Sequence, residues 1–352
     1  MGILRFFLAA SVVIWHSYNN GYSMNWLPFN SVACVILFFV VSGFYMTLVL
    51  NEKYNDKHFF LFWSNRILRL WPSFIFATIL MAIFVYPDLI FRAYKDTSAP
   101  TFLMIILSNF TMFAYELKDI GGLSANGNLV PFNLSETPLD KYFYLSPGWS
   151  LGLELWFYLL APFIVRSFIK TILVFFLGIF FLASVKMIGI GELWAYRSFP
   201  PVISFFMLGS LSYHLGKIIE KHGYKKIYYA IGYYLILPIT VILIIFPNIL
   251  DNFIPDNHQA KFFMLTFFLF LPAWFISTKH SNFDNTIGST SFPLYVIHPF
   301  IIFLSNDYSF LIFYPLLVLF LSLLVSFAMV YCIENPIDKW RQNRIYKNKY
   351  TR

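Results

Sequence analysis

The sequence predicts an all-α integral membrane protein, a polytopic helical bundle of about ten spans with one partial or re-entrant segment. Of its 352 residues 59% are hydrophobic and only 12% charged, roughly half the charged share of a soluble domain. Apolar segments long enough, or nearly so, to cross a bilayer recur at about 3–18, 31–50, 72–90, 101–116, 150–165, 171–189, 199–216, 227–247, 261–277, 288–305 and 310–332. Basic residues gather beside these segments, so the net charge of +8 follows from positive-inside topology and calls for no nucleic-acid partner.

Loop charges orient the array. The 19–30 loop has no Lys or Arg and is expected outside, whereas 51–71, with Lys53, Lys57, Arg66 and Arg69, is expected inside. By the same rule 214–226 is inside, 248–260 outside, and the basic tail 335–352 cytoplasmic after a transmembrane domain over 1–334. No small-x-small cleavage site follows the first segment, which is expected to be retained. Two cytoplasmic termini require an even number of crossings, against eleven segments. The parity places Trp149 outside and leaves one segment between 72 and 148 incomplete. The 101–116 stretch, interrupted by Ser108, Asn109 and Thr111, is the expected partial element, and the polar interval 117–148 reads as one loop. Cys34 and Cys332 both lie in apolar runs, so neither a disulfide frame nor a metal cluster is available.

Five clusters set polar groups where a membrane disfavours them. In the first segment Arg5 and His16 are eleven residues apart. That is almost three helical turns, so they share one face about 16 Å apart along the axis, with Ala9 and Val12 between. The structural reading is an inner-end anchor and an interior His satisfied by a neighbour; the functional one follows from the rarity of intramembrane ionisable groups. Ser42-Gly43 interrupts the second segment, and close helix packing through small residues explains it as well as any chemistry. Arg66 and Arg69, at i and i+3 before Pro72, point the same way. Two guanidiniums at the inner face suit a phosphate-bearing ligand, or else anchor topology. Pro72 is expected to disfavour helix at Trp71 and to open the next span.

The fourth cluster, SPGWSLGLELWFY (146–158), puts Ser150 and Glu154 on one face just inside a span. A carboxylate about one turn deep needs a partner or a proton. The fifth, STSFPLYVIHPF (289–300), sets His298 deep in an apolar helix beside Pro299; it either hydrogen-bonds a neighbouring helix or serves the site.

Taken together these clusters resemble the membrane acyltransferase family 3, which O-acylates bacterial surface glycans. The resemblance rests on Arg5…Leu8-Ala9…Val12-Val13…His16, FFVVSGF (38–44), Arg66-x-x-Arg69-x-x-Pro72, WSLGLE (149–154), SFPLYVIHP (291–299) and ENP (334–336), in the family's order. Most relatives carry an Asp-Gly pair and a second basic residue around the first motif; here Gly2-Ile3 and Phe6-Phe7 stand instead.

The resemblance implies transfer of an acyl group, usually acetyl, from cytoplasmic acyl-coenzyme A to a hydroxyl of a glycan or lipid-linked oligosaccharide such as O-antigen or exopolysaccharide. The setting is the bacterial inner membrane. Acetyl-coenzyme A is then a substrate, with no bound cofactor and no metal. A hydroxyl is a poor nucleophile near neutral pH, and imidazole titrates in the range suited to taking its proton. His16 is thus the expected base, or else a transient acyl carrier, with Glu154 orienting His16 or the acceptor. Arg5, Arg66 and Arg69 are expected at the donor; Trp149, Ser150 and His298 at the acceptor. The alternative is a lipid-linked sugar flippase or transporter, which is often built on internal repeats with paired broken helices; no such symmetry shows in the sequence.

The topology is directly testable. Cysteines at Asn20, Ser124 and Asn257 are expected to label from outside with an impermeant maleimide, and those at Asn55 and Asn343 only after permeabilisation. A Ser124 variant labelling only after permeabilisation places 117–148 inside instead.

Overall fold

The computed structural model describes residues 1–18, 27–54, 59–189, 191–222, 225–251, 253–254, 256–309, 311 and 313–350. Most of the 19–30 loop lies outside the described residues. The chain runs through α1 (Gly2–Tyr18), α2 (Ser31–Glu52), α3 (Phe59–Phe84), α4 (Leu89–Asp96), α5 (Ala99–Thr111) and α6 (Leu117–Ile120). Strands β1 (Gly121–Leu123), β2 (Leu129–Pro131) and β3 (Thr137–Pro138) follow, then α7 (Gly148–Ile164), α8 (Phe168–Ile188), α9 (Glu192–Arg197) and α10 (Phe199–Glu220). Next come α11 (Lys225–Ala230), continued through a π-turn into α12 (Leu237–Ile245), then α13 (Asn248–Asp251), α14 (Asp256–Thr278) and α15 (Asn282–Leu304). Helix α16 (Tyr314–Met329) passes through a second π-turn, Val330–Glu334, into α17 (Asn335–Tyr350).

Each expected apolar segment contains a helix. Among the described residues eight helical stretches are long and apolar enough to cross a membrane, and α1, α5 and α7 are shorter apolar helices. The 13 residues of α5 span only about 20 Å, against roughly 30 Å of hydrocarbon.

Two expectations are corrected. Helix α3 does not begin at Pro72; it runs unbroken from Phe59 to Phe84, so Arg66, Arg69 and the apolar span share one rod. Interior prolines are tolerated in membrane helices because neighbours re-satisfy the freed backbone groups. The 117–148 interval is not a plain loop, since β2-β1-β3 pair antiparallel into a small sheet. Its anchor is the polar interruption that shortens α5. Buried Asn109 donates to the carbonyls of Ile105 and Tyr142 at 3.1 and 2.9 Å and accepts from the Tyr144 N–H at 3.0 Å. The helix then stops at Met112 in a left-handed conformation (φ 65°).

The chain divides into two compact units. One comprises Met1–Asn55, Phe163–Phe175 and Ser204–Val330; the other Asp56–Pro162, Phe176–Ile203 and Tyr331–Arg352. In the first, α1 packs against α15, α2 and α16. Helices α2 and α10 approach closely: a Cβ on Gly43 would collide with the Phe206 carbonyl, and one on Gly209 with that of Val40. Gly43 thus serves close packing.

The α1–α15 seam is fixed at one end by a carboxylate. Asp284 accepts from the Gly2 N–H at 2.7 Å and the Ile3 N–H at 3.0 Å, satisfying donors that a helix start leaves orphaned, with the dipole in its favour. Gly2 and Gly288 face each other too closely for a Cβ on either. Arg5 Nη2 donates to the Gly288 carbonyl at 3.0 Å and its guanidinium lies over the Tyr45 ring of α2.

In the second unit α3 packs with α5 and α17, and α6 with α9. The tail is therefore a helix docked on α3 from residue 335 onward.

Asp284→Ala removes the acceptor of the Gly2 and Ile3 N–H groups and the partner of the buried Met1 amino group, and is expected to destabilise the purified protein by about 2 kcal/mol, read as a lowered unfolding midpoint in detergent. Asp284→Asn, which retains an acceptor oxygen, loses less. Equal midpoints for wild type and Asp284→Ala mean that α1 docks without the cap.

Candidate active site

The first unit brings His16 and His298 together. His16 Nδ1 and His298 Nε2 are 2.7 Å apart, and His298 Nδ1 lies 2.8 Å from the Tyr295 carbonyl. His298 is fully buried. The dipeptide His298-Pro299 explains the second contact. Proline has no N–H to return to the carbonyl four residues back, which is that of Tyr295, and the carbonyl takes the imidazole proton instead. A carbonyl only accepts, so His298 Nδ1 carries hydrogen and Nε2 presents its lone pair. His16 Nδ1 must then be the donor to His298, which leaves the lone pair of the neutral His16 ring on Nε2. One proline thereby sets the tautomers of two histidines, a chain of the kind that fixes which ring nitrogen is chemically available.

Proline plays a related part in the second unit. Pro162 leaves the Tyr158 carbonyl without its helical donor, and Trp63 Nε1 of α3 fills the place at 3.0 Å. Around this joint lies a charged cluster. Arg66 is buried, with its guanidinium 5.7 Å from the Phe62 ring, while Arg69 keeps exposed surface. The Tyr158 hydroxyl donates to Glu154 Oε1, and Tyr158 lies in the field of both arginines. Arg69 also feels Glu154, Glu334 and Asp338. Ser73, one turn beyond Arg69, donates to Glu334 Oε1 at 2.9 Å. Glu334 sits at the end of the π-turn, a distortion found often at functional sites.

The remaining expected site residues fall at the start of α7. Ser150 Oγ donates to the Pro147 carbonyl at 3.0 Å. Trp149 is buried beneath Arg197, whose guanidinium stands 5.0 Å from the ring. Arg197 in turn pairs with Asp119 at 2.6 Å, as does Lys118 at 2.8 Å. Glu116 accepts from Trp156 Nε1 at 2.7 Å and lies against Gly152, where a Cβ would meet its carboxylate. Burial pushes the Glu116 carboxyl above the usual range.

Sequence reasoning missed Tyr158, although its position four residues after Glu154 places both on one helix face. It also gave no role to Glu334, and nothing local linked Asp119 to Arg197.

One unit thus holds a tautomer-fixed imidazole pair, and the other an arginine–carboxylate cluster. A family model described as an acyltransferase domain matches residues 1–334. The chain belongs to this family, membrane acyltransferase family 3, and is a membrane acyltransferase. No curated protein and no solved structure matches it.

The raised carboxyl of Glu116 has a pH signature. Its protonated form is favoured in the fold, so its contribution is full below the ordinary carboxylate range and is lost as pH rises through the raised value. Glu116→Gln keeps an acceptor for Trp156 without the charge. Its stability relative to wild type is expected to rise between pH 4 and pH 8, measured by unfolding midpoints; a difference independent of pH contradicts the assignment.

Proposed function

We propose that this acyltransferase moves an acyl group, acetyl in the simplest case, from acyl-coenzyme A to a hydroxyl of a bacterial surface glycan such as O-antigen or exopolysaccharide, at the inner membrane. The observation that supports it best is the Tyr295–His298–His16 chain, which orients the His16 ring and sets its lone pair on Nε2. In this mechanism the acceptor hydroxyl approaches Nε2. Its oxygen attacks the thioester carbon while its proton passes to Nε2. The resulting imidazolium keeps its Nδ1–H on His298 Nε2, a bond that becomes charge-assisted as the proton arrives. The carbon–sulfur bond then breaks, and Nε2 returns the proton to the departing thiolate, giving the ester and coenzyme A. His298 acts here through His16 as a positioning residue.

Arg66 and Arg69 are assigned to the donor's phosphates. Paired guanidiniums on one helix face match phosphate geometry, and their present neighbours, Glu154 with Tyr158 and Glu334, keep them ordered. Arg5, bonded to Gly288 and lying over Tyr45, holds the first helix in place. Trp149 and Ser150 are proposed for the acceptor.

General-base assistance is worth roughly 10²–10⁴ in rate, so His16→Gln is expected to lose at least about 100-fold in transfer at saturating donor. His298→Ala is expected to lower kcat by roughly 10- to 100-fold, the worth of one hydrogen bond to a charged group, with donor KM kept. Activity of purified His16→Gln within about tenfold of wild type leaves too little for a base at this position.

A further inference from the structure

Helix α17 begins where the family match ends, at residue 335, and it holds one arginine among neutral partners. Arg344 Nη1 donates to Asn65 Oδ1 at 3.0 Å and Nη2 to Ser64 Oγ at 2.9 Å. Its guanidinium lies 5.1 Å from the Trp340 ring. Asn65 is completely buried, so the fork is fixed on a rigid part of α3. All three partners are neutral.

Three other arginines are ion-paired. Arg341 pairs with Asp338 at 3.1 Å, Arg92 with Asp88 and Arg197 with Asp119. Arg344 is half-buried, and among the described residues no carboxylate forms an ion pair with it. A guanidinium has five N–H donors, and the two contacts spend only two. What remains is an ordered cation with donors to spare, held by groups that orient it without cancelling its charge.

Its place on α3 says which anion fits. Ser64 and Asn65 immediately precede Arg66, and Arg69 is one turn further on, so the residues that hold Arg344 and the two α3 arginines fall within about 7.5 Å of helix rise. Coenzyme A carries phosphate at two places, a 5′-diphosphate and a ribose 3′-monoester. The Arg66–Arg69 pair meets one group and leaves the other unmatched.

We propose that Arg344 is a further phosphate-binding residue, taking the ribose 3′-phosphate of the acyl-coenzyme A donor. The assignment rests on reading Arg66 and Arg69 as the donor's other phosphate ligands. The shared chemistry, a phosphate ester, is also that of an anionic lipid headgroup, and the experiment separates the two.

The test measures binding of coenzyme A and 3′-dephospho-coenzyme A to the purified full chain in neutral phosphatidylcholine nanodiscs. Wild type is expected to prefer coenzyme A. Arg344→Gln is expected to weaken coenzyme A binding roughly 10- to 100-fold while leaving the dephospho form nearly unchanged, so that the preference disappears. Arg344→Lys restores part of it, because charge remains without the planar fork. A helix-anchoring role alone weakens both ligands equally, and that result overturns the proposal, as does no change in either. Retained preference together with lost phosphatidylglycerol binding assigns Arg344 to lipid and likewise overturns it. Loss of preference in Arg344→Gln, with both affinities intact in the Arg66→Gln, Arg69→Gln double variant, instead removes the arginine-pair reading and leaves Arg344 standing. Wild type binding neither ligand overturns both.

Discussion

A helix carbonyl that loses its N–H donor inside hydrocarbon has no water to turn to and must find a donor from the protein. This constraint organises both polar clusters. At Pro299 the stranded carbonyl is that of Tyr295, and the imidazole of His298 supplies the donor from the same helix. At Pro162 it is that of Tyr158, and the indole of Trp63 supplies it from the neighbouring helix. In one case the repair fixes a proton on a particular ring nitrogen. In the other it ties the arginine-bearing helix to the helix of Glu154. Replacing either proline with an ordinary helix former removes the demand itself, which packing around the site cannot recreate.

The second organising element is the seam between α1 and α15. It is held at one end by the Asp284 cap and at the other by the imidazole contact, with Arg5 bonded to Gly288 near the cap. The eleven-residue interval between Arg5 and His16 is thus the length of a clamp. A residue inserted between them would turn His16 about 100° away from His298 while leaving the capped end in place.

Much of this was legible beforehand. Apolar length located the eleven helical segments, and helical periodicity set Arg5 and His16 on one face and Arg66 with Arg69 on another. The partner of His16 was not legible, because His298 lies 282 residues away and only the fold sets their registers side by side. Pro299 was the available signal: its missing N–H points to the Tyr295 carbonyl and so to the tautomer. Pro72 misled, since the rule that proline opens a helix describes water-exposed ends better than a membrane rod. The small sheet was not legible because Gly121-Gly122-Leu123 shows no alternation, and the docking of the basic tail was not, because its contacts with Ser64 and Asn65 depend on an α3 that starts thirteen residues earlier than expected.

The brevity of α5 bears on the segment that follows it. Its 13 residues fall about 10 Å short of the hydrocarbon thickness, and tilting would only shorten their reach. Leu103 and Leu107 nevertheless project outward and require acyl chains against them. A helix this short does not cross unaided, and the polar groups at its end need partners from the protein. Asn109 supplies them by holding Tyr142 and Tyr144 of the segment that follows the small sheet, so the end of a short helix becomes the mount of an ordered one.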